Sequence, residues 1–230
     1  AGCEDSEEDT DDDDDGHEDL VDIRPETKGT AIYGLGVGCP DFDGDGWADL
    51  EDEFISEPTQ WNDSDRDGYG DEANGVEPDG CPLISGNSIY DRLGCADADE
   101  DGYSDPSQTW ATSDGADAFP SDSSQWNDSD LDSYGDNSNG FQPDACPTEF
   151  GISTEDRYGC VDSDEDGYSD LNDAFPMEVS QWLDEDGDGY GSNVNGIYPD
   201  SCPTIAGTST TDRYGCPDSD SDTWSDDGDS

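Results

Sequence analysis

Hydrophobic residues are sparse along this chain, and their spacing does not hold the period of a helix. Gly, Pro, Asn and Asp interrupt every apolar run, so no segment sustains the repeat of about 3.6 residues that marks an amphipathic helix. The least acidic stretch, residues 23–38, predicts a short strand or extended segment leading into Cys39. No apolar run reaches the roughly 18 residues of a membrane span. The pattern predicts a mostly irregular fold with little regular secondary structure.

The apolar residues that do recur are aromatic, and each has a fixed place in a repeated acidic segment. Numbered from 1 to 12, the segments carry aspartate at positions 1, 3 and 5, usually at 9 and often at 12, and an aromatic residue at 7. The Cys-led loops begin two residues after a cysteine, at Asp41, Asp97, Asp162 and Asp218. The Trp-led loops begin two residues after Trp61, Trp126 and Trp182, at Asp63, Asp128 and Asp184.

This spacing is that of an EF-hand-type calcium loop. Alternate residues of a tightly curved chain direct their oxygens to one centre, glycine at position 6 permits the bend, and position 7 offers its backbone carbonyl. Hard oxygen ligands at this density suit calcium better than zinc or copper. True EF-hands need a flanking helix on each side, and the missing helical periodicity excludes them.

The predicted ligands of the Cys-led loops are Asp41, Asp43, Asp45, Asp49 and Asp52; Asp97, Asp99, Asp101, Asp105 and Asp117; Asp162, Asp164, Asp166, Asp170 and Asp173; and Asp218, Asp220, Asp222, Asp226 and Asp229. Those of the Trp-led loops are Asp63, Asp65, Asp67, Asp71 and Asn74; Asp128, Asp130, Asp132, Asp136 and Asn139; and Asp184, Asp186, Asp188 and Asn195. The predicted backbone ligands are Trp47, Tyr69, Tyr103, Tyr134, Tyr168, Tyr190 and Trp224. Asp11, Asp13, Asp15, Asp19 and Asp22 repeat the spacing once more and predict an eighth site, although the acidic run around them permits several registers.

Several loops depart from the pattern. Position 12 of the loop at Asp97 is Gln108, and an insertion brings Asp117 into line with later ligands, so either Asp117 replaces it or the site is weaker. Ser192 stands at position 9, where a water often mediates. Ser133 and Thr223 replace the glycine of position 6, which should strain the bend without removing a ligand.

The charge of the chain supports a role for cations. It has 65 acidic residues against six Lys and Arg, a net charge of −59, and 28% hydrophobic residues, a composition that by itself predicts disorder. A halophile's acidic surface would scatter its carboxylates, whereas these are periodic. We therefore expect bound divalent cations whose binding is coupled to folding. Nucleic acids and anionic membranes carry the same sign of charge and are not expected as partners.

The loops are arranged in a longer repeat of about 56 residues. The predicted units are 39–94, 95–159 with nine extra residues, 160–215, and a partial unit 216–230, after an acidic segment 1–38. Three cysteine pairs share one separation, Cys81 with Cys95, Cys146 with Cys160 and Cys202 with Cys216, and predict disulfides and an oxidising, extracellular setting. Cys3 and Cys39 are left over and are predicted to pair; the alternative is that Cys3 carries lipid, because Ala1-Gly2-Cys3 resembles the end of a lipobox.

The run C-x-D-x-D-x-D-G-x-x-D, seen from Cys160 to Asp170, resembles thrombospondin type 3 repeats. The resemblance covers residues 39–230 well and 1–38 loosely. It implies a chain wrapped around a string of calcium ions, with the ligands named above, and an extracellular structural or adhesive role. The tryptophan-led spacing and the cysteine loop with D-R-Y-G depart from the animal pattern and indicate a microbial version.

The expected function is that of an elongated, disulfide-stapled, calcium-rigidified rod or filament subunit that binds about eight or more Ca²⁺ ions per chain. Its expected partners are copies of itself, associated head to tail. The alternatives are a calcium-dependent adhesin or glycan-binding module, for which the recurrent aromatics would form a platform, and a spacer segment of a larger secreted protein. An enzyme is not expected, because the single histidine leaves no catalytic constellation to build. Asn62 and Asn127 lie in N-D-S sequons and predict glycosylation.

Overall fold

The computed structural model describes residues 10–229, and almost all of this range is irregular. It contains neither an α-helix nor a β-strand. Its regular structure is limited to one 3₁₀ helix, Thr112–Asp114, and two isolated bridges, Gly70 with Pro78 and Ser107 with Trp110. The predicted irregular, disulfide-stapled fold is therefore confirmed, and the strand considered for residues 23–38 does not form. Within the same range no helix is long and apolar enough to cross a membrane.

The chain divides into two compact units between Ser121 and Asp122. The first holds the loops that begin at Asp11, Asp41, Asp63 and Asp97. The second holds the loops at Asp128, Asp162, Asp184 and Asp218. The same local arrangement recurs in both units, so each can be described by itself.

The three predicted disulfides are present and alike. Cys81–Cys95, Cys146–Cys160 and Cys202–Cys216 each span 14 residues, with Cα atoms 5.1, 5.2 and 5.1 Å apart. Disulfides of this kind indicate an oxidising environment. Cys39 is buried and has no disulfide partner among residues 10–229. Cys3 lies outside the described residues, so the Cys3–Cys39 pair stays a prediction.

The buried interior is polar. Among residues 10–229 the largest fully buried side chains are Gln60, Gln125 and Gln181, whereas the buried hydrophobic residues are only alanines and cysteines. Large aliphatic side chains lie outside, with Leu20 94% and Leu83 83% exposed. Hydrophobic burial therefore contributes little to this fold, and hydrogen bonds and disulfides position its loops.

Short bridging segments, residues 29–33, 86–90, 151–155 and 207–211, join the loop at Asp11 and each Trp-led loop to the Cys-led loop that follows. In residues 86–90, the N–H of Gly86 donates to Asp67 Oδ2 of the preceding loop (3.0 Å). The next two N–H groups donate to the carbonyl of Cys95, and the last two donate to the carbonyl of Gly102 in the following loop. The other three segments repeat this set of bonds. Each segment thus ties one acidic loop to the next.

Candidate metal centre

The alternating aspartates converge in space as their spacing predicts. One carboxylate oxygen from each member of a triplet lies within 4.8 Å of the others, and eight groups in residues 10–229 meet this criterion. Five of these groups are Asp11, Asp13 and Asp15; Asp41, Asp43 and Asp45; Asp63, Asp65 and Asp67; Asp97, Asp99 and Asp101; and Asp128, Asp130 and Asp132. Two like charges at that distance repel by about 1 kcal/mol in water and by about 3.5 kcal/mol at an effective dielectric constant of about 20. A cation bound between these carboxylates would offset this repulsion.

Local hydrogen bonds curl each loop around its first aspartate. In the loop at Asp162, Oδ1 accepts from the N–H of Glu165 (2.8 Å) and Oδ2 from that of Gly167 (2.9 Å). Both donors have positive φ, 65° and 100°. Ser133 and Thr223, which replace glycine at position 6, take the same conformation with φ of 79° and 81°. These two residues therefore carry the backbone strain that the sequence predicted.

The position-9 carboxylate fastens the end of a loop to its start. Asp170 accepts hydrogen bonds from both the N–H and the hydroxyl of Ser163 (2.7 and 2.6 Å), and its own N–H donates to the carbonyl of Val161 (2.8 Å). Asp226 accepts the same pair from Ser219, which lowers its pKa. Ser192 occupies this position in its loop and accepts from the N–H of Glu185 with its hydroxyl (3.2 Å). These side chains are thus already engaged by protein donors.

Each loop is closed by one further aspartate whose N–H donates to the carbonyl at position 8. We call these residues the closing aspartates: Asp22, Asp52, Asp79, Asp117, Asp144, Asp173, Asp200 and Asp229. The hydrogen bonds are 2.8 to 2.9 Å long in every loop. Apart from Asp229, each closing aspartate also accepts at Oδ1 from the N–H two residues later, as Asp173 does from Phe175 (2.6 Å). The orientation of this carboxylate is therefore fixed from two sides.

In the Trp-led loops the closing aspartate is not the residue that the sequence spacing indicated. The predicted position-12 ligands Asn74, Asn139 and Asn195 are exposed. Asp79, Asp144 and Asp200 close these loops instead, and they are only 7%, 5% and 4% exposed. The sequence does carry a signal for them, because each stands 16 residues after its loop start and two residues before a cysteine. We missed this signal by assuming one loop length for both kinds of loop.

In the second repeat unit the structure places Asp117, and not Gln108, at the closing position. Asp117 is 1% exposed and its N–H donates to the carbonyl of Ser104 (2.9 Å), whereas Gln108 is exposed. The inserted residues leave the loop after Asp105, whose N–H still donates to the carbonyl of Ala96 (2.7 Å), and return at Asp117. They include the 3₁₀ helix and Trp110, whose ring lies under the guanidinium carbon of Arg92 (5.5 Å). The insertion thus lengthens the path between two ligands without displacing either.

The closing aspartates have buried oxygens that no protein donor reaches. Oδ2 of Asp22, Asp79, Asp117, Asp144 and Asp200 is buried and accepts no hydrogen bond. Burial, together with the nearby loop carboxylates, raises the pKa of Asp117 to about 7 and that of Asp79 to about 6. Buried polar atoms normally find a partner, so a cation would be a fitting partner for this array of carboxylate oxygens.

In the Trp-led loops, the carboxylates of the closing aspartate and the fifth-position aspartate lie close together beside one glycine. A methyl carbon built on Gly94 would lie 2.6 Å from Asp79 Oδ1 and 2.8 Å from Asp67 Oδ2. The corresponding carbon on Gly159 would lie 2.4 Å from Asp144 Oδ1. Lysine and arginine side chains do not neutralise these carboxylates, since the one salt bridge within residues 10–229 joins Arg213 to Asp227 at the surface.

The aromatic residues at position 7 pack against aromatic residues that lie outside their own loops. Trp47 stacks on Trp61 with ring centroids 6.2 Å apart, and Tyr168 stacks on Trp182 at 5.2 Å. In the Trp-led loops, Tyr190 packs instead on Tyr214 of the D-R-Y-G motif (5.7 Å). The aspartate of that motif accepts from Ser225, at position 8 of the following loop, and these hydrogen bonds lower the pKa of Asp212. Position 7 thus helps to set the spacing between loops.

The two sequon asparagines are engaged within their loops. The Nδ2 group of Asn62 donates to Ser64 Oγ (3.0 Å) and to Asp71. Asn127 makes the equivalent bonds to Ser129 and Asp136. A glycan on either nitrogen would replace one of its two donor hydrogens, so glycosylation, which stays a prediction, would cost a loop contact.

The donor set fits a hard divalent cation. The five triplets given above contain only aspartate, and carboxylate oxygens favour Ca²⁺, Mg²⁺ or Mn²⁺ over softer metals. A scan against known protein families gave no match for this sequence, and a comparison with curated proteins gave none either. The identity of the cation therefore has to be argued from the loops themselves.

Proposed function

We propose that the chain is an extracellular structural protein whose acidic loops are each completed by bound Ca²⁺. The observation that carries the proposal is the buried, unpartnered oxygen that five of the eight closing aspartates hold next to an aspartate triplet. Calcium accepts six to eight oxygen ligands in irregular geometry, whereas Mg²⁺ demands a near-ideal octahedron and retains its waters. Loops with this many carboxylates favour the larger ion.

Binding would stabilise the chain by neutralising charge that its own side chains cannot neutralise. With a net charge of −59 and a polar interior, the chain has little else to oppose repulsion. The bridging segments carry hydrogen bonds from one loop to the next, so ordering one loop favours the order of its neighbour. A string of such loops is suited to a rigid rod, spacer or filament subunit that associates head to tail with copies of itself.

The packing of the aromatics favours this structural role over a glycan-binding module. A sugar platform needs open ring faces, whereas Trp47, Trp61, Tyr168 and Trp182 use faces against each other. The rings then serve as spacers between ion loops. Binding to a glycan array in calcium would overturn this preference.

The test is a calcium titration followed by circular dichroism and sedimentation velocity, with the disulfides intact. We expect cooperative compaction near 10⁻⁴–10⁻³ M Ca²⁺, in the range of extracellular modules. Longer, polymeric species at higher protein concentration would support head-to-tail assembly. A chain that is equally compact in chelator would refute calcium-dependent folding, and a monodisperse monomer at all concentrations would refute the filament role.

A further inference from the structure

The third-position aspartate differs between the two kinds of loop. In the Cys-led loops its Oδ1 accepts from the N–H at position 5, as in Asp43 (3.3 Å) and Asp164 (3.2 Å), which leaves only Oδ2 unpartnered. In the Trp-led loops both oxygens of Asp65, Asp130 and Asp186 are buried and accept no hydrogen bond. A Trp-led loop therefore presents two unused oxygens on one carboxylate.

The fifth-position aspartate shows the opposite difference. Oδ2 of Asp45 and Asp166, in Cys-led loops, is buried and unpartnered. In the Trp-led loops this atom is used, because the glycine that opens the bridging segment donates to it. The distances from the glycine nitrogen to Oδ2 are 3.0 Å for Gly86 and Asp67, 3.2 Å for Gly151 and Asp132, and 2.9 Å for Gly207 and Asp188.

The closing aspartate of a Trp-led loop enters from a segment that is bound covalently. Asp79 lies two residues before Cys81, and its Oδ1 accepts from the N–H of that cysteine (2.6 Å). The Cys81–Cys95 disulfide then holds the segment against Gly94, next to Asp67. Asp79 is more than nine-tenths buried, and its Oδ2 accepts no hydrogen bond although the carboxylates of Asp67 and Asp65 lie nearby.

We infer that the Trp-led loops form a second class of divalent cation site, in which the third-position aspartate binds with both oxygens and the closing aspartate of the disulfide loop supplies a further ligand. The ligands that define this class are Asp65 with Asp79, Asp130 with Asp144, and Asp186 with Asp200. In the Cys-led class the third and fifth positions supply one oxygen each. The inference rests on the proposed function, since it assigns ligands for the same cation. Two-oxygen binding by one carboxylate is common for Ca²⁺ and unsuited to the strict octahedron of Mg²⁺, so the second class should select calcium.

The test is the number of ions bound per chain, measured by equilibrium dialysis with radioactive Ca²⁺. The triple variant D79N/D144N/D200N keeps the Oδ1 acceptor for the following cysteine N–H and removes the charge. The matched control is N74A/N139A/N195A, which alters the exposed residues at the sequence-predicted position. We expect the first variant to lose one ion per substituted loop, or to bind it at least 100-fold more weakly, and the control to match the unaltered chain.

A second variant distinguishes the loss of a ligand from the loss of the fold. Asp65→Asn keeps the size of the third-position side chain and removes its charge, and it should abolish binding in one loop while a thiol assay shows all disulfides formed. If the unaltered chain binds no Ca²⁺ or other divalent cation, the proposed function itself is wrong. If it binds Ca²⁺ and both the closing-aspartate variant and Asp65→Asn retain full stoichiometry and affinity, the second class of site is refuted and the proposed function stands. Loss of ions from the asparagine control would also refute the inference.

Discussion

The buried glutamine at the base of each Trp-led loop should be the residue that holds the loop's long closing segment. Gln60 is 1% exposed, and its Oε1 accepts from the N–H of Glu72 (2.9 Å). Its Nε2 donates to the carbonyls of Glu72 and Val76 (3.1 Å each). A methyl carbon built on Gly70 would lie 2.1 Å from Oε1, so the side chain fills its space completely. Gln60→Ala should therefore release residues 71–78, which connect position 8 to Asp79.

The magnitude follows from the three backbone groups that lose their partner. An unsatisfied buried group costs about 1–3 kcal/mol, and water can enter from the exposed side of this segment, so we take about 1 kcal/mol for each. The total of about 3 kcal/mol corresponds to a factor of about 100 in the local opening equilibrium.

Hydrogen exchange followed by mass spectrometry, in excess Ca²⁺, measures this opening. We expect the amides of residues 70–79 to exchange about 100-fold faster in Gln60→Ala. Residues 135–144 and 191–200, held by Gln125 and Gln181, serve as controls in the same molecule. Leu83→Ala, at a side chain 83% exposed, is the matched surface variant and should change nothing. Unchanged exchange at 70–79 would refute the role of Gln60, and equal loss of protection in all three segments would refute its local character.

Three further predictions concern strain, pH and the disulfides. Ser133→Gly and Thr223→Gly should each stabilise the calcium-bound chain by about 1 kcal/mol, because they relieve positive φ, and unchanged urea midpoints would contradict this. In calcium-free buffer, compactness measured by sedimentation should be greater at pH 5 than at pH 8. The folded pKa of Asp117, about 7, lies above its unfolded value, so this stability is present at low pH and lost as pH rises through 7; the opposite trend would refute it. Reduction of the disulfides should weaken Ca²⁺ binding more in the Trp-led loops than in the loop at Asp41, which has no disulfide in the described residues. Equal weakening in both, measured by equilibrium dialysis, would count against a positioning role of the disulfides.

The parts of the site that could be predicted from the sequence are those that depend on local geometry. Asp162, Asp164 and Asp166 lie on one tight bend, and their convergence requires only the left-handed residues at positions 4 and 6. The equal separation of the cysteine pairs likewise identified the disulfides. In both cases the distance along the chain limits the distance in space, so spacing was sufficient.

The closing aspartates of the Trp-led loops could not be placed by the same argument, because their position depends on a longer path. Eight residues separate Gly70 from Asp79, and nothing in their spacing shows that the N–H of Asp79 returns to the carbonyl of Gly70 (2.8 Å). We expect that return to depend on Gln60, whose polar side chain is not an obvious candidate for the largest fully buried side chain of the unit. A repeated D-x-C sequence was the available signal, but its meaning depends on the disulfide that follows.

The composition of the interior explains why we expect such a fold to need ions. A chain of this length ordinarily gains its stability by burying aliphatic and aromatic side chains. Here Leu, Ile and Val are largely exposed, and the buried positions of residues 10–229 are held mainly by Gln, Ser, Asp, Cys and Ala. Hydrogen bonds between such groups add little net free energy, because water competes for them in the unfolded chain. The disulfides restrict the unfolded chain but leave the aspartate triplets repelling one another. Bound cations are then the remaining source of stabilisation with the right sign and location, and they would act at the atoms that the protein leaves without partners.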